Sequence, residues 1–203
     1  MTTLATDNFN RADEAPIGSP WTTGGDTSTY NIVSNVITPS SLSDDASAFE
    51  NTVSWPNDQY SQAVITVTGT GGGGQGPGVG TRMAAANYYR LVADHAATNN
   101  IELAKRVAGV YTQLWLRTQS FSNGATIYLE SQGATHIAKL NGTAIGASHS
   151  DSSLSTGKPG VVYSSFTNLA NLDNWEGGDF VVASTVPTRQ SLFLQAVHRA
   201  SRY

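Results

Sequence analysis

Lys139-Leu140-Asn141-Gly142-Thr143-Ala144-Ile145-Gly146 decides the architecture. Asn and Gly both tolerate the positive φ that a two-residue primed turn demands, so Asn141-Gly142 reverses the chain between two short extended segments. Upstream, Ser122-Asn123-Gly124 marks another reversal, leading into an extended segment over 125–130 and, past Gln132-Gly133, a further one over 134–140. Farther back, Tyr60 to Thr68 alternates with the two-residue period of a strand, Val64, Thr66 and Thr68 on one side and Ala63, Ile65 and Val67 on the other. Strands bounded by turns, without intervening helical units, predict an all-β fold of antiparallel sheets.

The rest of the chain reads the same way. Tyr30, Ile32, Val36 and Ile37 suggest a strand with a bend at Ser34-Asn35, and Phe9 and Trp21 bracket a Pro/Gly turn as large apolar anchors. Segments 79–86 and 88–93 read as neighbouring strands or one bent strand, although their alanines make a helix over 83–96 the local competitor. The β-branched and aromatic residues around them favour strands. In Val110 to Arg117 the simple alternation puts Tyr111, Gln113, Trp115 and Arg117 on one face. Asn171-Leu172-Asp173-Asn174 reads as a turn before a closing strand over 175–183. The glycine-rich stretch 69–80, with Gly71-Gly72-Gly73-Gly74, reads as a surface loop.

The 203 residues suit a single domain over 1–186, with 187–203 as a C-terminal extension or additional packed element after Pro187. Within that extension Leu192, Phe193, Leu194 and Val197 are the candidate protein-interface residues, because their apolar surface must be covered if the segment folds. A formal charge of -4 with no basic run argues against nucleic acid as the primary partner, which would require phosphate neutralisation. The absence of cysteine removes disulfides, thiolate metal ligands and cysteine nucleophiles together. No stretch approaches the ~20 apolar residues of a membrane-spanning helix, and Met1 to Thr6 lacks the pattern of a secretory signal, so membrane insertion is not expected.

Several ordered features resemble the concanavalin A-like lectin/glucanase jelly roll, particularly its laminin G-like or phage-associated branch. They are Asp7-Asn8-Phe9-Asn10-Arg11-Ala12-Asp13 with Gly18 and Trp21, Tyr30-Asn31-Ile32-Val33-Ser34-Asn35, Leu140-Asn141-Gly142-Thr143-Ala144-Ile145, and Gly178-Asp179-Phe180. The resemblance implies a two-sheet jelly-roll β-sandwich that recognises ligands through a sheet face or rim loops. It also implies a virion-associated structural, decoration or attachment protein on the virion surface, and in the host cytoplasm during assembly. Its expected partners are other virion or capsid proteins in an oligomeric assembly, and glycans. An independent carbohydrate-binding module and a divergent glycoside hydrolase or lyase are the alternatives. No catalytic centre is expected, since the run of acidic residues typical of catalytic members is missing and Glu130 and Glu176 stand alone in the sequence.

Within that frame Tyr88, Tyr89, Tyr111 and Trp115 are the candidate carbohydrate contacts, because flat aromatic faces cover the apolar side of a sugar ring. Asp7, Asp173 and Asp179 are candidate oxygen ligands for a structural Ca2+, the one cofactor the resemblance suggests, though none is required. The widely spaced His95, His136, His149 and His198 form no transition-metal motif, and Ser148-His149 lacks the setting of a hydrolase triad. The glycine run lacks the strand-to-helix context and Lys-Ser/Thr pair of a phosphate loop.

Overall fold

The computed structural model describes residues 1–41, 44–67, 76–94, 99–164 and 170–180. Among them the elements run β1 (Thr2–Asp7), β2 (Trp21–Thr23), β3 (Tyr30–Val33), β4 (Val36–Pro39), β5 (Ala46–Glu50), β6 (Gln59–Val67), β7 (Pro77–Ala84) and β8 (Asn87–Asp94). They continue with β9 (Asn100–Val107), β10 (Val110–Thr118), β11 (Thr126–Gln132), β12 (Thr135–Leu140), β13 (Thr143–Ala144), β14 (His149–Ser150), β15 (Lys158–Tyr163) and β16 (Ala170–Asp179).

All strand pairs in the two sheets are antiparallel. The nine-stranded sheet follows the order β13-β12-β11-β6-β16-β4-β3, with β1 paired to β16 and β14 to β12; the seven-stranded sheet follows β10-β9-β8-β7-β15-β5-β2. The sheets face each other across one core, in which Val79, Leu91, Ile101, Leu103 and Val161 meet Ile65, Ile127, Leu129, Leu172 and Trp175. Each fully buried aliphatic side chain stabilises the sandwich by roughly 1.5–3 kcal/mol.

Turn chemistry behaves as the sequence predicts at Asn141-Gly142, whose φ values of 49° and 78° join β12 to β13. The irregularity at Ser34-Asn35 is itself a hairpin turn, both residues at positive φ, between β3 and β4. The helix over 83–96 does not form: Ala84 ends β7, and Asn87 opens β8 across a tight reversal at Ala85-Ala86. Long-range sheet pairing overrides the helical preference of alanine.

Of the glycine-rich loop expected over 69–80, Pro77–Gly80 belong to β7, and 69–75 lie outside the described residues. Gly78 is glycine for a packing reason, since a Cβ there would lie 2.1 Å from the Leu91 carbonyl oxygen of β8. The turn expected at 171–174 is instead a bulge inside β16, between Asp173 and Glu176 in its pairing with β6, with Asn174 at φ 47°. The C-terminal segment and its candidate interface residues Leu192, Phe193, Leu194 and Val197 lie outside the described residues.

At one end of the sandwich a single buried side chain ties the loops together. Arg82, 2% exposed, donates to the carbonyls of Asn57 (3.2 Å), Leu154 (2.7 Å) and Gly133 (2.6 Å). Burial lowers the pKa of this guanidinium.

Candidate functional site

In a strand, alternate side chains leave by opposite faces, and β8 separates its residues cleanly. Tyr89, Leu91 and Ala93 enter the inter-sheet core, so Tyr88, Arg90 and Val92 leave by the opposite side of the seven-stranded sheet, where they too are buried, Tyr88 and Val92 in a second cluster with Met83 and Val162. Register carries that face across the neighbours: Tyr88 sits opposite Arg106 and Val92 opposite Glu102 on β9, and Arg106 and Glu102 in turn sit opposite Tyr111 and Leu116 on β10.

The residues on this face form a connected polar network. Arg90 Nη2 donates to Glu102 Oε1 at 3.1 Å, with 3% of either side chain exposed. The Tyr111 hydroxyl donates to the other Glu102 oxygen at 2.7 Å, and the Arg90 guanidinium lies 4.9 Å from the Tyr111 ring centroid. One step along the sheet, the Tyr88 hydroxyl donates to Asp26 at 3.3 Å and receives Arg106 Nη1 at 3.4 Å, while Arg106 is ion-paired to Asp26 and lies 3.7 Å from Asp45. Asp26 arrives from the segment between β2 and β3, and Asp45 stands just before β5.

Electrostatics lock these groups in one protonation state. Burial and then the hydrogen bond to Glu102 push the Tyr111 hydroxyl up to about 12. Burial followed by the Asp26 charge raises Tyr88. For Arg90 burial opposes the charged form, but Glu102 and its neighbours outweigh it and raise the guanidinium. The network therefore holds donors and acceptors in fixed directions beside Tyr111, whose surface is 44% exposed, and exposed Leu116.

Of the four aromatic residues predicted to contact carbohydrate, Tyr88 and Tyr111 share this face and Tyr89 and Trp115 do not. Tyr89 is buried between the sheets, its hydroxyl donating to an Asp151 carboxylate oxygen at 2.5 Å and accepting the Leu154 N–H at 3.1 Å. Trp115 is turned inward by a bulge: Gln113 sits opposite Ala104 and Trp115 opposite Leu103, the adjacent residue, so Leu114 is the extra residue that shifts the phase. Arg117 follows Trp115 inward, its guanidinium 5.4 Å from the indole. Arg90, Glu102, Arg106, Asp26 and Asp45 were not among the predicted contacts. The sequence groups Arg90 with Tyr88 and Tyr89 as a wet patch, whereas all three are buried and Tyr89 lies on the other face; nothing local announces the two aspartates.

The proposed calcium ligands are not brought together. The first and last described strands do pair, yet the register sets Asp7 opposite Trp175 and Asp179 opposite Thr2, at opposite ends of β1. Asp7 is already compensated, receiving Arg11 at 2.8 and 3.0 Å and Trp21 Nε1 at 2.7 Å. Asp173 accepts from Asn174, and Asp179 accepts the Thr2 N–H at 3.2 Å. A cavity of about 440 Å3 lined by Thr6, Asp7, Asn8, Asn174, Trp175 and Glu176 opens beside the β16 bulge, but among the described residues no three His, Asp or Glu side chains gather as a metal site.

Glu130 and Glu176, isolated in sequence, share the outward face of the nine-stranded sheet, around the stacked rings of Tyr60 and Tyr128 (5.4 Å). Glu176 accepts from Tyr60 and Thr3, and Glu130 from Tyr128 and Lys139. Their carboxylates are thus held by neighbouring side chains.

No family model and no curated protein matches the chain. Among solved structures it is similar to the carbohydrate-binding module CBM66 from Bacillus subtilis, with 18% identity and a TM-score of 0.57, over 79% of this chain and 92% of that one. The GH43 protein BlXynB from Bacillus licheniformis aligns at 10% identity and a TM-score of 0.61, over 86% of this chain but only 39% of that one. The exoplasmic/lumenal domain of VIP36, in its Ca2+/Man3GlcNAc-bound form, aligns at 13% identity and a TM-score of 0.58, over 84% and 89%. At these identities the likeness concerns the fold. The chain is an all-β, antiparallel two-sheet jelly-roll sandwich of concanavalin A-like form.

Proposed function

We propose that the protein is a carbohydrate-recognition module whose binding face is the outward surface of β9 and β10 around Tyr111 and Leu116, and that it binds without turning its ligand over. The observation that carries this reading is the exposed Tyr111 ring held by Glu102 and Arg90. It presents an apolar plate for the C–H face of a sugar, held at a fixed angle by the buried ion pair beside it. Arg106 and Asp45, both partly exposed, supply hydrogen-bonding groups for its hydroxyls toward β5. CBM66, a carbohydrate-binding module, and the Ca2+/Man3GlcNAc-bound domain of VIP36 lend support as structures of the same fold.

The virion and capsid setting implied by the sequence resemblance draws nothing from these neighbours, and the proposal does without it. Calcium is likewise left out. A VIP36 structure is Ca2+-bound, but Arg11 already neutralises Asp7 here, and the three candidate aspartates are spread along β1 and β16.

Glycan-array screening of the purified protein, followed by calorimetric titration with the best-bound oligosaccharide, tests the reading. Tyr111→Ala should weaken that affinity by roughly ten- to a hundredfold, the scale of one stacking side chain with its hydrogen bonds, while the variant still folds, as read by its circular dichroism spectrum. Binding that is indifferent to the substitution, or an array without a hit, overturns it.

A further inference from the structure

The lateral edges of the sandwich are not alike. Among the described residues the nine-stranded sheet is bordered by β13 and β14, of 2 residues each, by β3, of 4, and by β1, of 6, and the seven-stranded sheet ends at one side in β2, of 3 residues. The longest edge among the described residues is β10, 9 residues long and paired there only with β9. Long open edges are normally blunted by charge or proline, because their free N–H and C=O groups template further pairing. β10 contains no proline, and its one charged residue, Arg117, lies over Trp115 rather than guarding the edge. Three of the five large hydrophobic residues exposed among the described residues, Val110, Tyr111 and Leu116, belong to this strand.

We infer that β10 pairs with β10 of a second copy, joining two seven-stranded sheets across a two-fold axis. The hairpin geometry fixes the register. Ala108 and Gly109, at φ 50° and 80°, form a two-residue turn that makes Val107 and Val110 a hydrogen-bonded pair. Alternation along an antiparallel ladder then directs the backbone groups of Tyr111 and Gln113 away from β9, toward the open side.

A two-fold axis at Thr112 sets Tyr111 of each copy against Gln113 of the other, satisfying both outward pairs of N–H and C=O groups. It leaves Thr112 facing its own equivalent, a favourable cross-strand pair. The same register lays Val110 against Leu114 and Leu116 against the exposed Ala108 turn of the second copy, so the apolar surface of the strand is covered by like surface. An isologous contact of this kind closes at the dimer, and no charged side chains oppose each other at its axis. The inference stands apart from the carbohydrate reading and needs no ligand.

Sedimentation velocity of the full chain between ~1 and ~100 µM should show a monomer–dimer equilibrium. Amide exchange should show the Tyr111 and Gln113 N–H groups gaining protection as concentration rises. Val110→Lys and Gln113→Pro, the latter removing an N–H that β9 does not use, should each weaken the dimer at least about tenfold with the circular dichroism spectrum unchanged. Should Gln113→Pro fail to fold, Val110→Lys decides alone. A monomer at every concentration, or a dimer that persists in the folded variants, overturns the inference.

Discussion

Arg90 and Glu102 form an ion pair at 3.1 Å on the outward face of a β-sheet, yet only 3% of either side chain meets solvent. A pair so placed contributes little net stability, since desolvating both charges offsets most of their attraction, but losing one partner is costly. Glu102→Leu should therefore destabilise the fold by about 3 kcal/mol, whereas Arg90→Met combined with Glu102→Leu should recover most of that loss. Urea unfolding of the two variants checks this. A double variant no more stable than the single one would show that the charges do more than compensate each other.

The same face shows a preference for ligand charge. Asp26, Asp45 and Glu102 are set against Arg90 and Arg106, one carboxylate more than guanidiniums. A uronate brought beside them meets repulsion that a neutral hexose does not. Neutral oligosaccharides should bind about tenfold more tightly than uronate oligomers of the same length, and the gap should narrow as salt rises. Equal affinities at low salt would count against binding at this network.

Acid should loosen the protein through His136. The ring is buried, with Nδ1 2.9 Å from the Ser131 hydroxyl and Nε2 3.0 Å from the Asp151 carbonyl, an arrangement in which the neutral ring accepts at one nitrogen and donates at the other. Burial lowers its pKa to about 4. The unfolded chain takes up that proton first, near the ordinary 6.5, so stability falls as pH drops from about 6.5 to about 4 and this contribution levels off below. The loss amounts to about 3 kcal/mol. Burial opposes ionisation of Asp151, yet Lys105, Tyr89 and Ser153 hold it well below the usual carboxylate range, so its contribution is lost at still lower pH. Melting temperatures measured between pH 7 and 4 should fall in the native protein and change much less in a folded His136→Gln variant. Parallel curves would remove His136 from the account.

Sequence reading reached the all-β fold because its strongest signals are local. Asn141-Gly142 and the alternation in Tyr60 to Val67 need no distant partner to be understood. It missed where the cause lies elsewhere in the chain. The turn at Ala108-Gly109 places alanine at positive φ, which no local propensity announces. One extra residue at Leu114 sends Trp115 inward and parts it from Tyr111, and a bulge becomes visible only against the strand it is paired with. Asp26 and Asp45 reach Arg106 across 80 and 61 residues of sequence (106 − 26 and 106 − 45), a meeting set by sheet topology.

The central claim is that the outward face of β9 and β10 around Tyr111 receives a saccharide. Amide and side-chain NMR shifts recorded while the best-bound neutral oligosaccharide is titrated test it most directly. The account predicts that the largest perturbations fall on Tyr111, Arg106 and Leu116, with the Arg90 guanidinium responding through Glu102. Perturbations centred instead on Asn8, Asn174 and Glu176 around the cavity at the β16 bulge, or spread without focus, would contradict it.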